Sequence, residues 1–313
     1  MSPTRTPHAR APQNTTPNRA SPPPAYLNHN RDSPNWLLPA QSHCRDSSAP
    51  GCHWRGEIGT YWGDDCSDGT PWAAWHEGYL SFSMHYARLA EAWGVDALLL
   101  SHELYLPSVK CPARWAALLA AVRGAFSGAV SSVLPVNKGA DPAAEMPWAM
   151  DLDFLGVDCY FVAPLPAGSV PDKLGATWLD VDQATMDAAG EQLMPGLAAF
   201  SAALGSKPIV CTELGTSSRP WSYATWGGQT LPCPEDCSVW DQCVSIRALE
   251  IAYTWWLRVY YAQPWFDGFL FWDWRADPSS GGLSDNGLSP QAKPSVTRLL
   301  KAFWTTNASS TSP

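Results

Sequence analysis

"KPIVCTELGTSS", residues 207 to 218, sets a carboxylate at the end of an apolar run. Pro208 to Thr212 read as a buried strand, and Glu213 follows at once, with Gly215 two residues on. Taking a charge out of water without partners is strongly unfavourable, so a glutamate there needs a reason. One reason is local, because a carboxylate in the first turn of a following helix meets the positive end of the helix dipole. The other is chemical, because the C-terminal ends of barrel strands carry catalytic groups.

The rest of the chain repeats the strand pattern. "VDALLLS" (95–101), "AVSSVLPV" (129–136), "DFLGVDCYF" (153–161) and "GFLFWDW" (268–274) read as further strands. Helical spacing falls between them, over 72–93, 113–126, 182–204, 240–261 and 294–303. Alternation of this kind builds right-handed crossovers and a parallel sheet. A doubly wound sheet and an eight-stranded barrel both satisfy it. No Gly-rich phosphate loop follows any strand. Glu103, Asn137, Tyr160, Glu213 and the Trp272–Trp274 pair all fall at strand C-terminal ends, which favours the barrel. The fold class expected is therefore α/β, a (β/α)8 TIM-type barrel. Trp272 and Trp274 share a strand parity, so both are expected to face the lumen, with Asp273 facing outward.

Composition narrows the function classes. The chain has 313 residues, 45% of them hydrophobic, enough for a large core. Only 16% are charged and the formal net charge is −9, so there is no basic footprint for nucleic acid or an anionic membrane. The apolar runs are too short to cross a bilayer, and no charged start followed by an apolar stretch marks a signal peptide. Eighteen tryptophans offer flat faces suited either to stacking on sugars or to filling a core. Nine cysteines include three within "CPEDCSVWDQC" (233–243), with no histidine beside them. One or two disulfides and a secretory-pathway address fit that pattern better than a zinc site. Sequons at Asn14 and Asn307 permit the same address. Residues 1–48 are rich in Pro, Ser, Asn and Arg and read as a disordered head; 49–304 form the barrel domain, and 305–313 a loose tail.

Glu103 and Glu213 stand at the ends of two of these strands, and on a barrel both would point into one mouth. Two facing carboxylates are what glycoside hydrolysis requires, one protonated to release the leaving oxygen and one to attack. Their separation in a retaining site is expected to be about 5–5.5 Å. No metal or cofactor is needed.

"GVDALLLSHELY", "LDFLGVDCYF", "KPIVCTELGTSS" and "WFDGFLFWDWRADPSSGGLSDNGLSPQAKP" resemble, in order, segments of glycoside hydrolase family 113, and "HWRGEI" (53–58) is similar to its loop after the third strand. The resemblance covers roughly residues 53–304 and is most specific in the strand-seven and strand-eight segments. It implies a retaining (β/α)8 hydrolase of the β-mannanase type, acting on a polysaccharide or oligosaccharide. It implies Glu213 as nucleophile and Glu103 as acid/base, with Tyr160 in contact with substrate or nucleophile. Trp272 and Trp274 would form the floor beneath the sugar, while Asn137, Trp54, Arg55 and Glu57 would bind hydroxyls. Trp148 reads either as a further subsite wall or as a surface-loop residue. Many members of the wider clan carry Asn just before the acid/base; here His102 stands there and would contact the sugar. The family's first two strands have no counterpart in this sequence, and the third only "NWLLPAQSHC" (35–44), so the barrel is expected to lack its first two or three strands. The alternative function is a carbohydrate-binding barrel fragment that keeps its tryptophans and has lost turnover.

Overall fold

The computed structural model describes residues 58–59, 62–102, 104–136, 141–169, 181–224 and 244–308. Within them, helix α1 (Pro71–Trp93) opens with the Thr70 hydroxyl accepting from the Ala73 amide. Pro71, which has no amide hydrogen to leave unsatisfied, sits in the first turn, and Gly94 ends the helix in the left-handed region. Strand β1 (Ala97–Leu99) follows, then helix α2 (Pro112–Arg123) and strand β2 (Ala129–Ser131). Strand β3 (Leu155–Asp158) leads to helices α3 (Gln183–Glu191) and α4 (Met194–Ala203). The sequence pattern reads as one helix over 182–204. Pro195 cannot donate its amide, and the chain breaks there into two. Strand β4 (Ile209–Leu214), helix α5 (Ile246–Trp255) with a π-helical extension to Tyr260, strand β5 (Phe266–Phe271) and helix α6 (Pro294–Ala308) complete the order.

All pairings are parallel: β1 with β2, and β3 with β4 and β4 with β5. A parallel bridge between Val133 and Gly156, with the Leu134 amide donating to the Gly156 carbonyl at 2.8 Å, joins the two groups. The result is a five-strand parallel array in sequence order with helices in the crossovers. The five strands read over 95–101, 129–136, 153–161, 208–212 and 268–274 are present, within a few residues, whereas 35–44 lies outside the described residues. Among the described residues the strands form no closed barrel: β1 pairs with β2 alone and β5 with β4 alone.

The core lies between strands and helices. Trp75 stacks on Tyr79 with ring centroids 4.8 Å apart, and Trp115 stacks on Trp148 at the same distance. On the other side, Tyr253 of α5 meets Phe271 of β5 at 5.0 Å. Many of the tryptophans are therefore core residues. Trp148, expected at a subsite or on a surface loop, is buried, and its Nε1 donates to the Ser108 carbonyl at 3.0 Å. Its ring is more useful as filling between α2 and the turn that follows β2 than as a sugar platform. Two disulfides, Cys66–Cys111 and Cys159–Cys211, tie the described residues. The cysteines of 233–243, like the head, lie outside those residues.

Candidate functional site

The ends of three strands, β1, β3 and β4, meet at Glu213. Its carboxylate stands one residue before the end of β4, with its side chain only 13% exposed. A carboxylate so placed needs donors. The Tyr160 hydroxyl, two residues past β3, donates to Oε2 at 2.9 Å. His102, three residues past β1, brings Nε2 to 2.6 Å from Oε1. The same Nε2 is 3.5 Å from Oδ2 of Asp158, the last residue of β3. The Asp158 side chain is 2% exposed, and its Oδ1 accepts from the Thr212 hydroxyl at 3.0 Å. Both oxygens of Glu213 are thus engaged, and the one half-exposed member of the group, His102, opens it to solvent.

Gly215 explains the sequence after the glutamate. A methyl group added there would come within 1.9 Å of the Trp272 carbonyl oxygen, so the chain leaving β4 presses directly on the segment leaving β5. The Trp272 amide donates to the Leu214 carbonyl at 2.9 Å, which ties the indole-bearing segment to the Glu213 strand. Trp272 and Trp274 are both exposed, as a platform would be. Strand β5 ends at Phe271, so strand alternation does not set which way these two indoles face. The following loop is held from beneath: Arg275 Nε donates to Asp273 at 2.9 Å, and Gln291 Nε2 donates to the Arg275 carbonyl at 2.9 Å. Lys293, fully buried, reaches Asp285 and the Ser289 carbonyl. Burial pulls the Lys293 ammonium below its ordinary pKa, and Asp285 opposes that shift.

The structure brings together Glu213, Tyr160 and His102 of the residues singled out from sequence, with Trp272 beside the strand that carries Glu213. Glu103, Asn137, Trp54, Arg55 and Glu57 lie outside the described residues. Asp158 is the residue that sequence reading passed over. It ends an apolar run in "LGVDCYF" as Glu213 does in "PIVCTEL", so the same signal marks it.

The His102, Asp158 and Glu213 ligand atoms lie within 4.8 Å of one another, a donor set that suits a divalent cation. Two ligands of one tetrahedral zinc sit about 3.3 Å apart, given bonds of about 2.0–2.1 Å. The 2.6 Å separation of His102 Nε2 and Glu213 Oε1 is shorter, and is that of a direct hydrogen bond. The arrangement therefore presents a rigidly held, partly buried carboxylate at a strand end, suited to attack or to accept a proton.

The family model described as Glycoside Hydrolase Family 113 matches residues 46–286. A solved GH113 β-mannanase, AaManA from Alicyclobacillus acidocaldarius in complex with ManMIm, is similar with a TM-score of 0.58 and 20% identity, over 80% of this chain and 68% of that one. A structure of a GH113 β-1,4-mannanase gives 0.58 and 19%, over 81% and 69%. A GH113 β-1,4-mannanase in a complex gives 0.56 and 20%, over the same shares. No curated protein matches the chain.

Proposed function

We infer the reaction from one premise: the chain belongs to glycoside hydrolase family 113. The substrate is β-1,4-mannan or a related β-linked polysaccharide, cleaved with retention of configuration. The observation that carries this reading is Glu213 at the end of β4 with a donor on each oxygen, Tyr160 on Oε2 and His102 beside Oε1. Those donors fix the orientation of the carboxylate, as a nucleophile needs. The printed descriptions of the similar structures, β-mannanase and β-1,4-mannanase, support the choice of sugar.

In the proposed reaction Glu213 attacks the anomeric carbon, and the bond to the leaving oxygen breaks as Glu103 gives that oxygen its proton. Glu103 then takes a proton from water, the water oxygen attacks the same carbon, and the bond to Glu213 breaks. Trp272 and Trp274 supply apolar faces on which sugar rings stack. His102 lies against the nucleophile, with the Asp158 carboxylate 3.5 Å from the same nitrogen, which changes the role expected of His102 from sugar contact to support of Glu213.

The same reading gives β1 to β5 the fourth to eighth strand positions of the family barrel. The first two or three positions have no counterpart among the described residues. Reducing-end release from β-mannan, glucomannan and β-glucan, with Glu213→Gln as control, tests the proposal. Release from mannan that disappears in the variant is the expected result. Binding of mannan without release, unchanged by the substitution, would overturn it in favour of a binding-only barrel.

A further inference from the structure

The backbone ladder between β3 and β4 is regular from Leu155↔Ile209 to Val157↔Cys211 and then slips, so that Asp158 pairs with Glu213. The slip falls where the site residues begin. An irregularity of this kind re-aims side chains and also removes the evenly spaced hydrogen bonds that hold parallel strands in register. Past it, the Cys159 amide donates to the Glu213 carbonyl at 2.8 Å.

A covalent bond stands at the same place. Cys159 and Cys211 are joined across 52 residues with their Cα atoms 5.5 Å apart. Cys159 lies between Asp158 and Tyr160, and Cys211 lies one residue before Thr212 and two before Glu213. Both side-chain contacts that cross the gap, Tyr160 to Glu213 and Thr212 to Asp158, are flanked by the bridge. Both cysteines are buried, so the bond has no exposed surface to present to a partner.

We propose that the Cys159–Cys211 disulfide is a positioning device for the nucleophile, fixing the two strand ends so that Tyr160 and Asp158 hold Glu213 and its surroundings in the reactive geometry. The proposal rests on the assignment of Glu213 as nucleophile. Reactive groups must be held to within about 0.5 Å, a tolerance that a slipped ladder does not by itself guarantee. The second bridge supplies the comparison. Cys66–Cys111 joins the segment before α1 to the cap of α2 across 45 residues, and its cysteines flank none of the partners of Glu213.

The test compares two double variants, Cys159→Ala/Cys211→Ala and Cys66→Ala/Cys111→Ala, in mannan hydrolysis, thermal unfolding and amide hydrogen exchange. The expected result is a fall in kcat of tenfold or more for the first pair, with KM within threefold, and kcat within threefold for the second at a similar loss of Tm. Exchange over residues 155–161 should accelerate at least tenfold in the first pair, with 266–271 unchanged. Equal effects of the two pairs on kcat, or unchanged kcat in the first, would overturn the proposal. Cys159→Val/Cys211→Ala refills the lost volume should the first pair fail to fold; failure of both overturns the idea, since the bridge would then serve the fold as a whole. If the wild type releases no sugar, the hydrolase reading fails by itself, and the exchange data still decide whether the bridge clamps these strands.

Discussion

The Tyr160 hydroxyl and the Glu213 carboxylate, 53 residues apart in sequence, meet at 2.9 Å across the ends of two neighbouring strands. A hydrogen bond to a charged group contributes about 1.5–3 kcal/mol, which corresponds to roughly 10- to 150-fold. Tyr160→Phe keeps the ring and removes only the donor. It should lower kcat/KM on mannan by about that factor while leaving the thermal midpoint within a degree or two. Unchanged kinetics would show that Oε2 needs no donor during attack.

His102 leads to a second prediction, because its Nε2 serves Glu213 and faces Asp158. His102→Ala removes the donor on Oε1 and should reduce kcat about tenfold or more, by the same reasoning about charged hydrogen bonds. His102→Gln brings an amide N–H donor to the Nε2 position and should recover most of that loss. Asp158→Asn leaves both donors of Glu213 present but weakens the support for the imidazole, so its effect should be smaller than that of His102→Ala. Steady-state kinetics on one defined mannooligosaccharide would rank the three, and a reversed order would remove Asp158 from the argument.

The strands were legible because parallel strands covered on both faces read as short apolar runs, as "ALLLS" and "PIVCT" do. The convergence of Glu213 and Tyr160 followed from placing both at strand ends. Asp158 was missed although it occupies the same kind of position, because its neighbours Cys159 and Tyr160 drew the reading toward the aromatic. The lumenal parity of Trp272 and Trp274 assumed a strand through residue 274, whereas β5 stops at Phe271. Trp148 was misplaced because an isolated tryptophan after a proline carries no periodicity; only its packing on Trp115 decides its role. The Cys159–Cys211 pairing could not be read at all, since pairing among nine cysteines depends on strand register rather than spacing.

His76 links stability to pH. Its ring is 4% exposed, packed against Trp75 and Trp115, and neither nitrogen has a hydrogen-bond partner among the described residues. Burial, and secondarily the nearby Arg114 charge, push its pKa from 6.5 down to about 4. Between those values the unfolded chain binds a proton that the folded chain refuses, so stability falls as pH drops from about 6.5 toward 4. The loss contributed by this one residue is at most about 3 kcal/mol once pH is below the folded value. His76→Phe keeps an aromatic ring and removes two desolvated polar atoms. It should raise stability at pH 7 by about 1 kcal/mol and by more at pH 5. Urea unfolding of both proteins at the two pH values checks this, and parallel pH profiles would locate the acid sensitivity elsewhere.

The outer edge of β1 and the adjacent face of α1 form an apolar border. Phe82, Tyr86, Leu89 and Trp93 follow one another along a single helical face and are all exposed, Trp93 by 79%. Leu99 of β1 is exposed too, and among the described residues β1 pairs with β2 alone. A strand edge with unpaired backbone groups next to an apolar helix face is a site for pairing with further strand and helix. In the proposed barrel this is where the first strand positions adjoin the fourth. The 313-residue chain alone should therefore bind a hydrophobic dye and show a sedimentation mass that rises with concentration. Leu89→Glu/Trp93→Glu should suppress both while changing stability by no more than about 0.5 kcal/mol per site, because exposed positions carry little packing. A large loss of stability in that variant would mean that the ridge is already covered within the chain, and the border would then not be an open one.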